Sequence, residues 1–117
     1  MGNIQGFDHV ALAVPDLDHQ VQRFVEMGMV VQSRSERYAL VADPVSGFNI
    51  ELNEASDGQA RFRHLGFRTT DVDADYTELL ATGMTSVEAP HRREFAQMRT
   101  AFLKEASGLE FQLVKYD

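Results

Sequence analysis

The chain has 117 residues, a formal net charge of −7 and no cysteine. The length suits one ordinary domain. The acidic balance excludes a nucleic-acid surface, which needs concentrated positive charge, and the lack of cysteine excludes disulfides, thiolate metal sites and cysteine nucleophiles. There is no apolar run of the roughly 18 residues a membrane span needs, and no signal-peptide pattern, so a cytoplasmic protein without membrane attachment is expected.

Phe7–Val14 (FDHVALAV) alternates and is rich in β-formers, which predicts a strand with Val10, Leu12 and Val14 on one face and His9, Ala11 and Ala13 on the other. Pro15 ends it, and Asp16 or Asp18 can cap a following helix. Leu17, Val21, Phe24 and Val25 form that helix's apolar stripe, and Gly28 suits the residue after its end. Three strand-like stretches follow, Met29–Ser33, Arg37–Ala42 and Phe48–Asn53, with Gln32–Arg37 (QSRSER) as a hairpin region. His19 reads as a surface residue on the helix. The polar segment Glu54–Arg61 is a linker. Beyond it lie a strand at Phe62–Thr69, a helix from about Asp71 to Ala81, and strands at Thr85–Glu88, Arg99–Lys104 and Leu109–Tyr116.

The second half repeats the first. Phe7, His9, Asp16, Asp18 and Gly28 recur as Phe62, His64, Asp71, Asp73 and Gly83, an offset of 55 without a gap. Ser46-Gly47-Phe48-Asn49-Ile50-Glu51-Leu52 recurs as Ser107-Gly108-Leu109-Glu110-Phe111-Gln112-Leu113 at an offset of 61, so six extra residues fall between Val87 and Lys104. A fixed-period match of this kind marks duplicated structural units. The expectation is a single α+β domain spanning residues 1–117, built of two tandem βαβββ modules at about 5–54 and 61–116. Each helix covers one face of its own mixed sheet, and the two sheets form a cup with the helices outside.

Alternation then sends a polar set to the cup: His9 and His64 from the first strands, Asn49, Glu51, Asn53, Glu110 and Gln112 from the last, and Arg68. Two imidazoles with carboxylate and amide oxygens suit Zn²⁺, Ni²⁺, Co²⁺, Mn²⁺ or Fe²⁺. A lone inward histidine is more often structural. Two at equivalent repeat positions, each with an oxygen donor at the equivalent later position, favour the metal, because an unpaired carboxylate inside an apolar strand is costly. Pro90-His91-Arg92-Arg93 reads either as a solvated turn or as a loop that clamps a substrate carboxylate or phosphate.

The paired βαβββ pattern, carried by FDHVALAV, DPVSGFNIEL, FRHLGFRT and EASGLEFQL, resembles the vicinal oxygen chelate superfamily of glyoxalases, epimerases, bleomycin-resistance proteins and extradiol dioxygenases. The resemblance implies a divalent metal centre lined by His9, His64, Glu51 (four residues after Gly47) and Gln112 (four after Gly108), with pairing of two copies into a homodimer. Family enzymes commonly place a glutamate where this chain has Gln112. The implied activity is a metal-dependent isomerase or lyase acting on a small carbonyl compound through a metal-stabilised enolate. Glu51 or Glu110 would move the proton, and Asn49, Arg68, Arg92 and Arg93 would contact substrate; a pair between Glu110 and Arg68 is the structural alternative for those two. Other family roles are a metal-free module that sequesters a small molecule, as bleomycin-resistance proteins do, and a small extradiol-type dioxygenase with Glu51 as its carboxylate.

Overall fold

The computed structural model describes residues 2–117. Ten regular elements follow the expected order: β1 (Ile4–Val14), α1 (Leu17–Glu26), β2 (Val30–Arg34), β3 (Tyr38–Ala42), β4 (Asn49–Glu54), β5 (Arg61–Thr69), α2 (Val72–Ala81), β6 (Thr85–Arg93), β7 (Met98–Lys104) and β8 (Glu110–Tyr116). The fold is α+β and consists of two βαβββ repeats. The chain forms two compact units, one of His9–Arg63 and one of the residues up to Asp8 together with His64–Asp117. Among the described residues, no helix is long and apolar enough to cross a membrane.

In the unit of residues 9–63 the strands pair in the order β2-β3-β4-β1. β1 and β4 run parallel with Ala11 opposite Glu51, while β3 and β4 are antiparallel with Leu40 opposite Glu51. α1 starts where Asp16 Oδ1 accepts the His19 amide at 3.1 Å, a cap whose loss costs about 1 kcal/mol. It stops where Gly28 takes a positive φ of 97° and the Met29 amide reaches back to the Phe24 carbonyl at 3.0 Å, a reversal that suits a residue without Cβ. The buried face of α1 and the sheet share one core of Val14, Leu17, Ala39, Val41 and Leu52, with Leu12, Val21, Phe24, Met29 and Ile50 against it. Leu52 is fully buried, so truncating it to alanine would cost roughly 2–5 kcal/mol. Val25, expected in the helix stripe, is 41% exposed at its edge.

The other unit repeats the plan with the order β5-β8-β7-β6. β5 and β8 are parallel with Gly66 opposite Gln112, and β7 and β8 are antiparallel with Phe102 opposite Gln112. Asp71 caps α2 by accepting the Ala74 amide at 3.0 Å. Val72, Met84, Ala101, Leu103 and Leu113 form the core, with Ile4, Phe67, Tyr76, Leu79 and Phe111 packed on it. Asp75 on α2 is fully buried and is satisfied by the Thr69 hydroxyl and by Asn3 Nδ2 at 3.2 Å.

The extra residues of the second repeat lengthen β6 and add a short 3₁₀ turn at Glu94–Ala96. Pro90-His91-Arg92-Arg93, read from sequence as a turn or loop, is therefore strand. Pro90 is tolerated because β6 is the outermost strand of its unit and the register shifts between Glu88 and His91.

Candidate metal centre

In the unit of residues 9–63, the site begins at the turn before β4. Asp43 Oδ1 accepts the Val45 amide at 2.9 Å, and its Oδ2 accepts the Ser46 hydroxyl at 2.9 Å. These bonds hold the Asp43 carboxyl below its ordinary pKa, the Val45 amide contributing most. Gly47, at φ 76°, donates to the Asp43 carbonyl at 2.8 Å and turns the chain into β4. This turn fixes the register that puts Glu51, four residues later, on the same face as His9. His9 Nε2 lies 3.3 Å from Glu51 Oε2. The other carboxylate oxygen, Oε1, accepts Asn53 Nδ2 at 3.2 Å. His9 is buried, and Asn49 stands opposite it in the ladder.

The other unit carries the repeat equivalents. His64 is 4% exposed and meets the Phe102 ring edge-on, with centroids 5.2 Å apart. Gln112 is 2% exposed. Its Nε2 donates to Thr100 Oγ1 at 2.9 Å, and that hydroxyl donates to the Leu113 carbonyl at 2.8 Å. Gln112 Oε1 is buried and, among the described residues, accepts no hydrogen bond. A buried acceptor of this kind fits a cationic partner, since leaving it unmatched costs about 1–3 kcal/mol. Glu110 is half-buried at the start of β8, opposite Lys104.

The three arginines expected to contact substrate have partners within the chain. Arg68 pairs with Asp8, not Glu110: its Nη2 donates to Asp8 Oδ1 at 2.7 Å, and its guanidinium stacks 5.6 Å from the Tyr116 ring centroid. Arg92 and Arg93 lie on β6 and, as successive strand residues, point to opposite faces. Arg93 lies over the Phe102 ring at 5.2 Å and donates to His91 Nε2 at 3.3 Å, next to the His64 contact. Arg92 instead forms a fork with Asp117 at 2.7 and 2.6 Å and donates to Glu94 at 2.7 Å. These acceptors hold Arg92 well above its usual pKa, and Arg92 holds the Asp117 carboxyl below its own.

The residues that sequence reasoning missed are Asp8, Thr100, Phe102 and Tyr116. Asp8 is a carboxylate inside a β-rich run with a 2% exposed side chain; it also accepts the Tyr116 hydroxyl at 2.6 Å. Its position beside His9 was the available signal. Thr100 carried none, since a threonine in a strand is ordinary.

The unit of residues 9–63 thus offers an imidazole and a carboxylate, His9 and Glu51, and the other unit offers the buried His64 and the Gln112 Oε1 acceptor. Imidazole nitrogens, carboxylates and amide oxygens are donor types suited to first-row divalent cations. Residues 8–102 match the family model described as the glyoxalase/bleomycin resistance protein/dioxygenase superfamily. The chain belongs to that superfamily. No curated protein sequence is a significant match. Among solved structures, this superfamily member resembles methylmalonyl-CoA epimerase from Mycobacterium tuberculosis, with 27% identity, a TM-score of 0.84, and 97% of this chain and 89% of that one covered. It also resembles a variant of the Streptomyces coelicolor epimerase in complex with 2-nitronate-propionyl-CoA, with 25% identity, a TM-score of 0.77, and 97% and 98% covered. A methylmalonyl-CoA epimerase in complex with methylmalonyl-CoA and NH₄⁺ matches at 25% identity and a TM-score of 0.76, with 97% and 95% covered.

Proposed function

We propose that this protein is a divalent-metal-dependent isomerase of the epimerase kind, acting at the carbon next to the thioester carbonyl of methylmalonyl-CoA or a close analogue. The observation that carries the reading is the likeness to methylmalonyl-CoA epimerases over 97% of the chain, at a TM-score of 0.84 for one of them. His9, Glu51, His64 and Gln112 would hold the cation. The orphaned Gln112 Oε1 supports this, as does the recurrence of the donors at matching repeat positions. When bound, the cation would supply Lewis-acid polarisation of the thioester carbonyl, which acidifies the neighbouring C–H.

The chain's own part is proton movement and orientation. An epimerisation removes the proton on that carbon from one face and returns one to the other, so nothing is gained or lost overall. Glu110 would take the proton, a role supported by its standing two residues before Gln112 on the same face of β8. Glu51 is the second carboxylate, with one oxygen fixed by Asn53. Arg68, Asn49 and Arg93 would orient the anionic end of the substrate. The reading includes a cytoplasmic setting and pairing of two copies. An extradiol dioxygenase site would use only His9, His64 and Glu51 and would leave the buried Gln112 Oε1 without a role, which favours the epimerase.

The test is incubation with methylmalonyl-CoA in D₂O, with and without added Co²⁺ or Mg²⁺, and mass spectrometry of the recovered thioester. Cation-dependent uptake of one deuteron at the α-carbon is expected. No exchange with any cation would overturn the activity, while exchange unaffected by chelator would overturn its metal dependence. Tight ligand binding without exchange, in excess chelator, would place the protein with the sequestering members of the superfamily.

A further inference from the structure

Gln112 is a buried amide held by one end. Its Nε2 meets Thr100 Oγ1 at 2.9 Å, and Oε1 accepts no hydrogen bond among the described residues. The direction of the amide follows from the Thr100 hydroxyl. A backbone carbonyl can only accept, so the hydroxyl proton goes to Leu113 O at 2.8 Å. Thr100 Oγ1 therefore presents a lone pair to Gln112, and only the NH₂ end can meet it. Turned over, the amide would set two acceptors against each other. The ladder supplies the spacing: Thr100 stands opposite Val114 and Gln112 opposite Phe102, a diagonal pair on one face. Thr100 is fully buried, so bulk water does not compete for its hydroxyl.

We infer that Thr100 is a positioning residue for the cation: it locks the Gln112 amide with its carbonyl oxygen presented as a ligand and its amino end turned away. This rests on the metal-dependent reading above. Glu51, the repeat equivalent, needs no such lock, because a carboxylate offers an acceptor whichever way it turns; its own partner, Asn53, is a donor. A glutamine in a ligand slot has one useful face and one repellent one, so something must choose between them.

The experiment is Co²⁺ titration by calorimetry of the full chain as wild type, Thr100→Val, Thr100→Ala and Thr100→Ser. Each is repeated in a Gln112→Glu background, with thermal denaturation run alongside. Removing the hydroxyl by either of the first two substitutions is expected to weaken Co²⁺ binding roughly 10–100-fold, and serine to keep it near wild type. In the Gln112→Glu background the same substitutions are expected to change affinity by less than about threefold, since the pair is then uncoupled. In metal-free protein, the Gln112 side-chain amide protons are expected to exchange slowly with solvent in wild type and Thr100→Ser, and fast in Thr100→Val. Wild-type affinity in the two hydroxyl-free variants would overturn the inference. An equal loss in both backgrounds would also overturn it, by showing a general structural role. A wild type that takes up no Co²⁺ would remove the metal-dependent reading itself, and the inference with it.

Discussion

His9 Nε2 and Glu51 Oε2 lie 3.3 Å apart across two parallel strands, β1 and β4. Neither residue is near the other in sequence. The register of Ala11 opposite Glu51 puts them diagonally on one face, and the Asp43–Gly47 turn sets that register. The pair is the half of the proposed centre that carries a carboxylate, and its behaviour gives the first expectation.

Replacing His9 or Glu51 with alanine should leave the far-UV spectrum intact and weaken Co²⁺ binding by more than the roughly 10–100-fold seen when only a supporting residue is lost. For wild type, Co²⁺ at 100 times its dissociation constant should stabilise the fold by about 2.7 kcal/mol. For a chain of this size that is a rise in Tm of roughly 10 °C. Scanning calorimetry with and without chelator checks both, and a Tm unmoved by any divalent cation would contradict the site.

Asp8 is the buried partner of the Arg68 guanidinium and the Tyr116 hydroxyl. Asp8→Ala would leave both donors without their acceptor. Arg68 is half exposed and can turn to water, so the loss should fall at about 1–3 kcal/mol rather than at the larger figure for a fully buried pair. Tyr116→Phe removes one neutral donor and should cost about 1 kcal/mol. Urea denaturation midpoints measure the two, and equal values would show that the Arg68 bond contributes nothing.

Asp73 on α2 accepts a fork from Arg99 on β7 at 2.6 and 2.7 Å. Arg99 is the largest cause holding the Asp73 carboxyl below its ordinary pKa. A depressed folded pKa gives stability that is present above the unfolded value, near 4, and is lost as pH falls through the folded one. Both side chains are largely exposed, so the pair stabilises only weakly and is screened by salt. Arg99→Ala should therefore lower the urea midpoint slightly at pH 7 and not at pH 2, and the pH 7 difference should shrink in 1 M NaCl.

Gly47 sits at φ 76° with open space where a Cβ would go. Gly47→Ala should cost about 1–2 kcal/mol from backbone strain alone, without a clash. Because this turn sets the β4 register, a larger effect on Co²⁺ affinity than on stability would show that it also positions Glu51.

Much of this was legible from sequence because duplication made two noisy patterns confirm one another. Asp16 and Asp71 both cap helices, and Gly28 and Gly83 both reverse the chain at positive φ. The alternation that put Glu51 and Gln112 on the faces away from the helix cores follows from strand geometry alone. What the sequence hid were pairings set by long-range register. Arg68 found Asp8, sixty residues away, where sequence offered Glu110. The strand extension through Arg93 was hidden by Pro90, which ordinarily breaks a strand and here falls in an edge bulge. Arg92 and Arg93 then separated, as neighbours on any strand must.

The division of β1 has a consequence for how this chain can be cut. The sequence repeat begins at Phe7 and again at Phe62, yet Asn3 bonds Asp75 and Ile4 packs into the core built around Val72 and Leu113. A fragment starting at Arg61 would hold one complete copy of the duplicated pattern while lacking both. The unit that was copied is thus not the unit that folds: the second copy borrows its finishing residues from the opening of the first, and the two halves are not interchangeable parts.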